Sequence, residues 1–148
     1  MYSFKEKYGE YLSAFEARLK RFYEELTCRP QILDDSLKYS LKSGGKRVRP
    51  VLMLAAADLV GAQNCGVEDY ALALELIHTY SLIHDDLPEM DNDDFRRGRP
   101  SNHKMFGAGN AVLAGDGLLN TAYYILFVRC AVGKLFADAA KFMCGCAG

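Results

Sequence analysis

The sequence predicts an all-α protein built as a bundle of antiparallel helices. Apolar residues recur at steps of three and four through most of the chain, which is the spacing of one helix face. Glycine and proline are sparse, and no segment alternates between apolar and polar residues as a half-buried strand does. A chain of 148 residues is long enough to bury one core, so we expect a single domain.

The first three helices are separated by glycine and proline. The first covers residues 2–26, where one stripe of apolar residues follows the helical period: Phe4, Tyr8, Leu12, Phe15, Leu19, Phe22 and Leu26. A second helix begins near Pro30 and ends at Gly44 and Gly45, because proline suits a first turn and glycine accepts the left-handed conformation. A third, apolar helix is predicted to begin at Pro50 and to end at Gly61.

The second half of the chain is predicted to contain three further helices. The fourth runs from 67 to about 87 and is apolar on nearly every face, which is typical of a helix enclosed by others. Pro88 breaks it, and the polar segment 89–109 is predicted to be mostly loop. A fifth helix covers about 110–132 and a sixth starts near Lys134. The sequence therefore predicts about six helices.

Composition excludes several classes of function. Eighteen basic residues against nineteen acidic ones give a net charge of −1, so a general nucleic-acid surface is not expected. The longest charge-free run, 117–128, is too short to span a bilayer, and the charged N-terminus does not resemble a secretory signal. The five cysteines are odd in number and form no Cys-x-x-Cys pair. We therefore expect a cytoplasmic protein with reduced thiols.

The apolar fourth helix ends in the acidic sequence DDLPEMD. This places the carboxylates of Asp85, Asp86 and Asp91 near one helix end, where they would repel one another without a cation. Oxygen ligands of this kind select hard cations, and Mg²⁺ in particular binds a few carboxylates together with substrate phosphates. The alternative is an acidic loop solvated by water, above all for Asp93 and Asp94.

Basic residues form two clusters, in GGKRVRP and in DFRRGRP. The clusters contain Lys46, Arg47, Arg49, Arg96, Arg97 and Arg99. Acids and arginines together suit a diphosphate, which Mg²⁺ bridges to carboxylates while arginines bind the remaining oxygens. Salt bridges between the loop and its own acids are the alternative. His78 shares a helix face with Asp85, which favours a ligand contact over a core histidine. Neither a P-loop nor a dinucleotide glycine motif is present.

Three segments, GGKRVRP, ELIHTYSLIHDDLPEMDNDDFRRGRPSNH and AVLAGDGLLN, closely resemble the trans-polyprenyl (farnesyl) diphosphate synthase family. The resemblance covers essentially the whole chain and implies an antiparallel bundle of the isoprenoid synthase type. It also implies a Mg²⁺-dependent prenyltransferase of isoprenoid biosynthesis. Such an enzyme condenses isopentenyl diphosphate head-to-tail with dimethylallyl or geranyl diphosphate to give farnesyl diphosphate. A homodimer packed through helices such as the fifth is implied as well.

The resemblance assigns roles to residues by position. Those that hold Mg²⁺ on the allylic diphosphate in catalysis are Asp85, Asp86 and Asp91. Arg96 corresponds to a contact of the same diphosphate. The isopentenyl diphosphate site corresponds to Lys46, Arg49, His78 and Arg97.

Tyr80 and Ser81 are predicted to set the length of the product. Tyr80 lies about 7.5 Å from Asp85 along the helix, on the path of a growing prenyl chain. In similar enzymes a bulky residue at this place goes with fifteen-carbon products, which favours farnesyl diphosphate. Leu87 and Pro88, inserted within the aspartate motif, also resemble bacterial-type farnesyl diphosphate synthases. The alternative is a tyrosine that only packs.

The sequence departs from the family in its second half. Members of the family are about twice as long and carry a second aspartate-rich motif and a Lys-Thr pair, whereas no acidic cluster follows Asp94 here. We therefore expect residues 1–148 to be the N-terminal portion of a single polyprenyl synthetase domain, inactive without a C-terminal half. The alternatives are a non-catalytic diphosphate-binding or oligomerisation module and a structural oligomer with a vestigial site. Apolar helices also predict self-association.

Overall fold

The computed structural model of the chain describes residues 3–62 and 65–147. Seven helices lie in these two ranges: α1 (Phe4–Glu25), α2 (Gln31–Leu41), α3 (Val48–Leu59), α4 (Val67–Asp85), α5 (Asn102–Phe106), α6 (Ala108–Cys130) and α7 (Lys134–Ala147). One antiparallel hairpin joins β1 (Phe95–Arg96) to β2 (Arg99–Pro100). The prediction of an all-α protein is confirmed.

Helix α4 forms the centre of the bundle. It packs most extensively against α6 and also contacts α1, α2, α3 and α7. Nine of its 19 residues are buried, among them Leu72 and Leu76, which are fully shielded from solvent. Burying each such leucine contributes about 1.5–3 kcal/mol relative to leaving it exposed. The prediction that the fourth helix is enclosed by others is confirmed.

Helix α6 approaches α4 through small residues. Its buried face carries Ala111, Ala114, Gly115, Leu118, Ala122 and Leu126. Such short side chains let two helix backbones come close together. By length and composition alone α6 could cross a membrane, a test that the core helix of a soluble protein also passes. Here it packs against four other helices of the bundle, α2, α4, α5 and α7.

Helix α1 lies on the outside of the bundle and buries only part of its predicted stripe. Phe15 and Leu19 are buried, whereas Phe4 is 85% exposed. The helix begins with a capping box, in which the Glu6 amide donates to the Ser3 hydroxyl and the Glu6 carboxylate accepts from the Ser3 amide. This cap explains why the helix begins at Phe4 although the Phe4 side chain is not packed against the bundle.

The third helix begins two residues earlier than predicted. It starts at Val48 and places Pro50 within its first turn, where the missing proline N–H would have had no intrahelical partner. Arg47 caps the helix in the left-handed conformation, with φ of 49°. Helix α4 likewise ends at Asp85, two residues before the predicted end.

The segment predicted to be loop contains regular structure. Arg97 and Gly98 both have positive φ, 54° and 76°, as a two-residue turn of a twisted hairpin requires. A short helix, α5, follows Ser101 and ends at Gly107, and α6 then starts two residues before the predicted position. The described part of the chain therefore contains seven helices, one more than the approximate count from the sequence, because a five-residue helix carries no periodic signal.

Candidate functional site

A cavity of about 530 Å³ lies between the α2–α3 turn, α4 and the tip of the hairpin. Lys46 and Arg49 line it from the start of α3, His78 from α4, and Arg97 from the hairpin turn. The structure thus brings together the four residues that the sequence predicted as one site. We call this space the cation cavity.

Arg47 belongs to the same cluster in sequence but is buried in the wall of the cavity. Its guanidinium donates to Glu75 Oε1 and Glu16 Oε1, each at 2.8 Å, and to the Leu41 carbonyl at 3.0 Å. Burial alone would lower the pKa of Arg47, but the hydrogen bonds to Glu16 and Glu75 outweigh it and raise the pKa. Arg47 is therefore neutralised by carboxylates, unlike its neighbours.

Three cations of the cation cavity have no acidic partner. Lys46, Arg49 and Arg97 form no ion pair within residues 3–62 and 65–147. The Arg97 guanidinium lies over Gly45, where a Cβ would stand 2.6 Å from its Nη1. Partial burial, followed by the charge of Arg47, lowers the pKa of Arg97, although an arginine stays charged at neutral pH. The cavity therefore holds a concentrated positive charge.

His78 adds a neutral polar group to this cavity. Its Nε2 lies 3.4 Å from Arg49 Nη1. Burial, and then the charges of Arg49 and Arg97, lower the pKa of His78 below its ordinary value of 6.5. The ring is therefore uncharged at neutral pH and is available as a hydrogen-bonding group.

At the C-terminal end of α4, Asp86 is engaged by an arginine. Arg96 Nε donates to Asp86 Oδ1 at 2.9 Å and Oδ2 at 3.0 Å, and Arg96 Nη2 also donates to Oδ1. This hydrogen bonding raises the pKa of Arg96. Asp86 is only 2% exposed, whereas the Arg96 side chain is 32% exposed, so water reaches the pair from the arginine side. For Arg96, the structure matches the predicted alternative of a salt bridge between the loop and its own acid.

Asp85 and Asp91 are linked through their backbones. The Asp91 amide donates to the Asp85 carbonyl at 2.8 Å, and Asp91 is exposed. Asp85 lines a second cavity of about 640 Å³ between α4 and α6, here called the α4–α6 cavity. No three His, Cys, Asp or Glu side chains in the described part of the chain are grouped to hold a metal. The joint ligand set of Asp85, Asp86 and Asp91 stays a prediction.

Tyr80 and Ser81 both line the α4–α6 cavity. The Tyr80 ring meets the His84 ring edge to face, with 4.7 Å between centroids. The Ser81 hydroxyl donates to the His78 carbonyl at 2.9 Å. Tyr80 therefore lies in the wall of a cavity that Asp85 also lines, and its role in limiting chain length stays a prediction.

Two residues that shape the site were missed at the level of sequence. Glu75 is a buried carboxylate in the central helix α4, a position that itself signals a buried partner. Its Oε2 is buried without a hydrogen bond in the described part of the chain. Asn102 is the second residue. It binds the Ser36 carbonyl, the Ser36 hydroxyl and the Ser40 hydroxyl at 2.8–2.9 Å, which fixes the hairpin to α2.

Comparison with known sequences identifies related proteins. The family model described as "Polyprenyl synthetase" matches residues 30–145. A farnesyl diphosphate synthase of Geobacillus stearothermophilus is 50% identical over 118 residues, which is 80% of this chain and 39% of the relative. A heterodimeric geranylgeranyl pyrophosphate synthase large subunit of Arabidopsis thaliana is 58% identical over 64% of this chain and 25% of its own length.

Solved structures share the bundle. A geranyltransferase from Legionella pneumophila superposes on 97% of this chain with a TM-score of 0.90 and 38% identity. A geranyltranstransferase from Thermotoga maritima superposes on 90%, with a TM-score of 0.76 and 36% identity. The chain covers 52% and 51% of these two structures, about half their length. The predicted fold, an all-α bundle of the isoprenoid synthase type, is confirmed.

Proposed function

Because the chain belongs to the polyprenyl synthetase family, we propose that it supplies the substrate-binding part of a prenyltransferase that joins isopentenyl diphosphate to an allylic diphosphate. The observation that carries this proposal is the cation cavity. Lys46, Arg49 and Arg97 converge there and form no ion pair within residues 3–62 and 65–147, beside a neutral His78. Cations left unpaired in one cavity are matched by a ligand with several anionic oxygens.

Isopentenyl diphosphate is the substrate assigned to the cation cavity. Arg49 and Arg97 can each donate two parallel hydrogen bonds to phosphate oxygens, and Lys46 adds a point charge. The neutral His78 ring can donate one further hydrogen bond without adding charge. These residues bind and orient the diphosphate, so that the apolar part of the substrate extends from the cavity.

The allylic diphosphate, dimethylallyl or geranyl, is assigned to the α4–α6 cavity. Asp85, which lines this cavity, and Asp91, whose amide donates to the Asp85 carbonyl, would hold Mg²⁺ through their carboxylate oxygens, and Mg²⁺ would stabilise the departing diphosphate. Asp86 fits this role less well, because Arg96 occupies both of its oxygens. Arg96 is placed to contact the same diphosphate once that pair opens. The cavity wall excludes water from the prenyl chain.

We propose farnesyl diphosphate as the product, with Tyr80 as the residue that stops chain growth. Tyr80 lies in the cavity wall that a lengthening chain would reach. Relatives that make geranylgeranyl diphosphate match the chain as well as farnesyl diphosphate synthases do, so product analysis must decide. Tyr80→Ser in an active enzyme should yield products longer than fifteen carbons. An unchanged product would exclude Tyr80 as the limiting residue.

We further propose that residues 1–148 act as the N-terminal portion of one polyprenyl synthetase domain and need a C-terminal half for turnover. The test incubates the chain with geranyl diphosphate, labelled isopentenyl diphosphate and Mg²⁺, with and without the C-terminal half of a related synthase. We expect turnover only with both halves, and its loss in Asp85→Ala but not in Asp138→Ala, an exposed acid of α7. Diphosphate binding without turnover in either case would favour the non-catalytic module instead.

A homodimer is proposed from the exposed apolar surface of α6. Tyr124 and Phe127 are about 70% exposed on that helix, and Val128 beside them is 53% exposed. Large contiguous apolar patches are rare on soluble monomers. Light scattering at micromolar concentration should give the mass of two chains, and a single-chain mass would contradict the dimer.

We also propose a cytoplasmic location, which cell fractionation would test, since all five thiols are free.

A further inference from the structure

We propose that His84 is a positioning residue that fixes Tyr80 against α6, and that residue 115 must be glycine because the His84 ring fills the place of its Cβ. The contact itself is independent of the proposed function. Its consequence, a role of α6 in limiting the length of the prenyl chain, rests on that function.

The contact between His84 and Gly115 leaves no room for a side chain. A Cβ built on Gly115 would lie 2.2 Å from His84 Nε2 and 2.4 Å from its Cδ2. Carbon atoms that are not bonded attract one another at about 3.5–4 Å and repel strongly at these shorter distances. The imidazole therefore lies directly on the backbone of α6, and the two helices meet through this ring.

Polar groups of α6 hold the ring in this orientation. His84 Nε2 lies 3.1 Å from the Val112 carbonyl oxygen, within hydrogen-bond distance. Asp116 Oδ1 lies 3.9 Å from the same nitrogen. Nε2 therefore carries the proton in the tautomer that donates to Val112. A ring fixed by a hydrogen bond and by a backbone contact has little freedom to rotate.

His84 transmits this restraint to Tyr80. The two residues are four positions apart on α4, so their side chains lie on the same face. Their rings meet edge to face at 4.7 Å, and both line the α4–α6 cavity next to Asp85. The Tyr80 ring is thus supported by a histidine that is itself held by α6. We infer that the depth of the cavity depends on the α6 backbone as well as on the size of residue 80.

Thermal unfolding of the chain tests the contact without any assay of activity. Alanine normally stabilises a helix relative to glycine, but a Cβ at position 115 forces the ring out of place. We expect Gly115→Ala to lower the Tm by about 5 °C. Gly117→Ala is the matched control on the same helix, because its Cβ would meet only Leu37 at 3.4 Å, and its Tm should be unchanged or raised.

The double variant gives the decisive comparison. In a His84→Ala background the ring is absent, so adding Gly115→Ala should leave the Tm unchanged or raise it. This reversal of sign would establish the contact, also in the case where Gly115→Ala alone does not fold. If Gly115→Ala lowers the Tm equally with and without His84, the proposal is overturned.

The effect on chain length is measured by calorimetric titration with two unreactive substrate analogues and Mg²⁺. Displacing the ring from α6 pushes it into the cavity, so Gly115→Ala should weaken binding of geranyl thiolodiphosphate about tenfold more than binding of the dimethylallyl compound. Adding His84→Ala should restore the ratio. Equal weakening of both analogues would leave His84 a packing residue only. A wild-type chain that binds neither analogue contradicts the proposed function, while the Tm comparison still decides the contact.

Discussion

The cation cavity and the aspartate end of α4 each contain one buried ion pair, but they use their charged groups differently. In the cation cavity Arg47 pairs with the buried Glu75, and Arg49 and Arg97 stay without acidic partners in the described part of the chain. At the aspartate end Arg96 pairs with Asp86, although both residues were predicted to bind the same diphosphate and its metal. In the cation cavity, one arginine stabilises the fold and other cations are left to bind a ligand. At the aspartate end, the residues of the ion pair are also the ones predicted to bind the diphosphate and its metal.

This difference indicates that the cation cavity is assembled before a ligand arrives. Arg47 in its wall is already paired with Glu16 and Glu75, and Lys46, Arg49 and Arg97 form no ion pair in the described part of the chain, so an anion can bind without breaking an existing pair. The aspartate end has to release Arg96 from Asp86, or leave Asp86 out of the metal site, before Arg96 can contact a diphosphate. Isopentenyl diphosphate should therefore bind the chain more readily than an allylic diphosphate does.

The largest expected effect follows from replacing Arg47, which stabilises the wall of the cation cavity. Arg47→Met leaves Glu75 buried without its cation, which should lower the free energy of unfolding by about 3–5 kcal/mol. Arg49→Met, two residues away at an exposed position, should change it by less than about 0.5 kcal/mol. Urea unfolding measures both. Similar losses of unfolding free energy in the two variants would contradict the view that Arg47 stabilises the fold while Arg49 is left to bind a ligand.

The aspartate end should lose less stability from the equivalent change. Arg96→Met leaves the buried Asp86 without its ion-pair partner. Because the Arg96 side chain is 32% exposed and water reaches the pair, we expect the free energy of unfolding to fall by about 2 kcal/mol. Adding Asp86→Asn should recover part of this loss, because a neutral amide is less costly to bury than a charge. The neighbouring Arg97→Met should be nearly neutral in the same urea titration.

Arg97 should instead act on ligand binding. Arg97→Met should weaken binding of isopentenyl diphosphate about tenfold, since a charge-assisted hydrogen bond contributes roughly 1.5–3 kcal/mol. Calorimetric titration measures the change, with Lys141→Met, an exposed cation of α7, as the control for net charge. A control that loses as much affinity as Arg97→Met would mean that overall charge, not this cavity, attracts the ligand.

The smallest expected effect is a pH dependence from His78. Burial lowers its pKa in the folded chain below 6.5, so the unfolded chain binds the proton more tightly. Stability contributed by the neutral ring is present above pH 6.5 and is lost as the pH falls toward the folded pKa. His78→Gln should therefore flatten the decline of the urea midpoint between about pH 7 and pH 5. An unchanged slope would show that the His78 ring is not desolvated in solution.

The residues of the cation cavity were grouped by the family resemblance, and their chemistry is also unusual at their positions. Cations in glycine-containing turns and a histidine on an apolar helix are visible in the sequence, and the helical period gives their elements. The separation of Arg47 from Arg49 could not be predicted in the same way. It goes with the left-handed φ of Arg47, whose side chain is buried, and a backbone dihedral angle cannot be read from the amino-acid sequence.

The aspartate end was harder to predict for a related reason. The spacing in DDLPEMD places three carboxylates close in sequence, but the direction of each side chain depends on how the helix ends. Asp86 faces the hairpin, whose turn requires positive φ at Arg97 and Gly98. Arg-Gly is not among the strong hairpin signals, so the turn was not predicted, and a salt bridge between this loop and its own acids was predicted only as an alternative.

The short side chains between α4 and α6 have a consequence for motion. Alanine and glycine let the two helices approach closely, and the His84 ring lies directly on the α6 backbone, so sliding one helix past the other would open voids along the contact. The two helices should therefore move as one rigid unit.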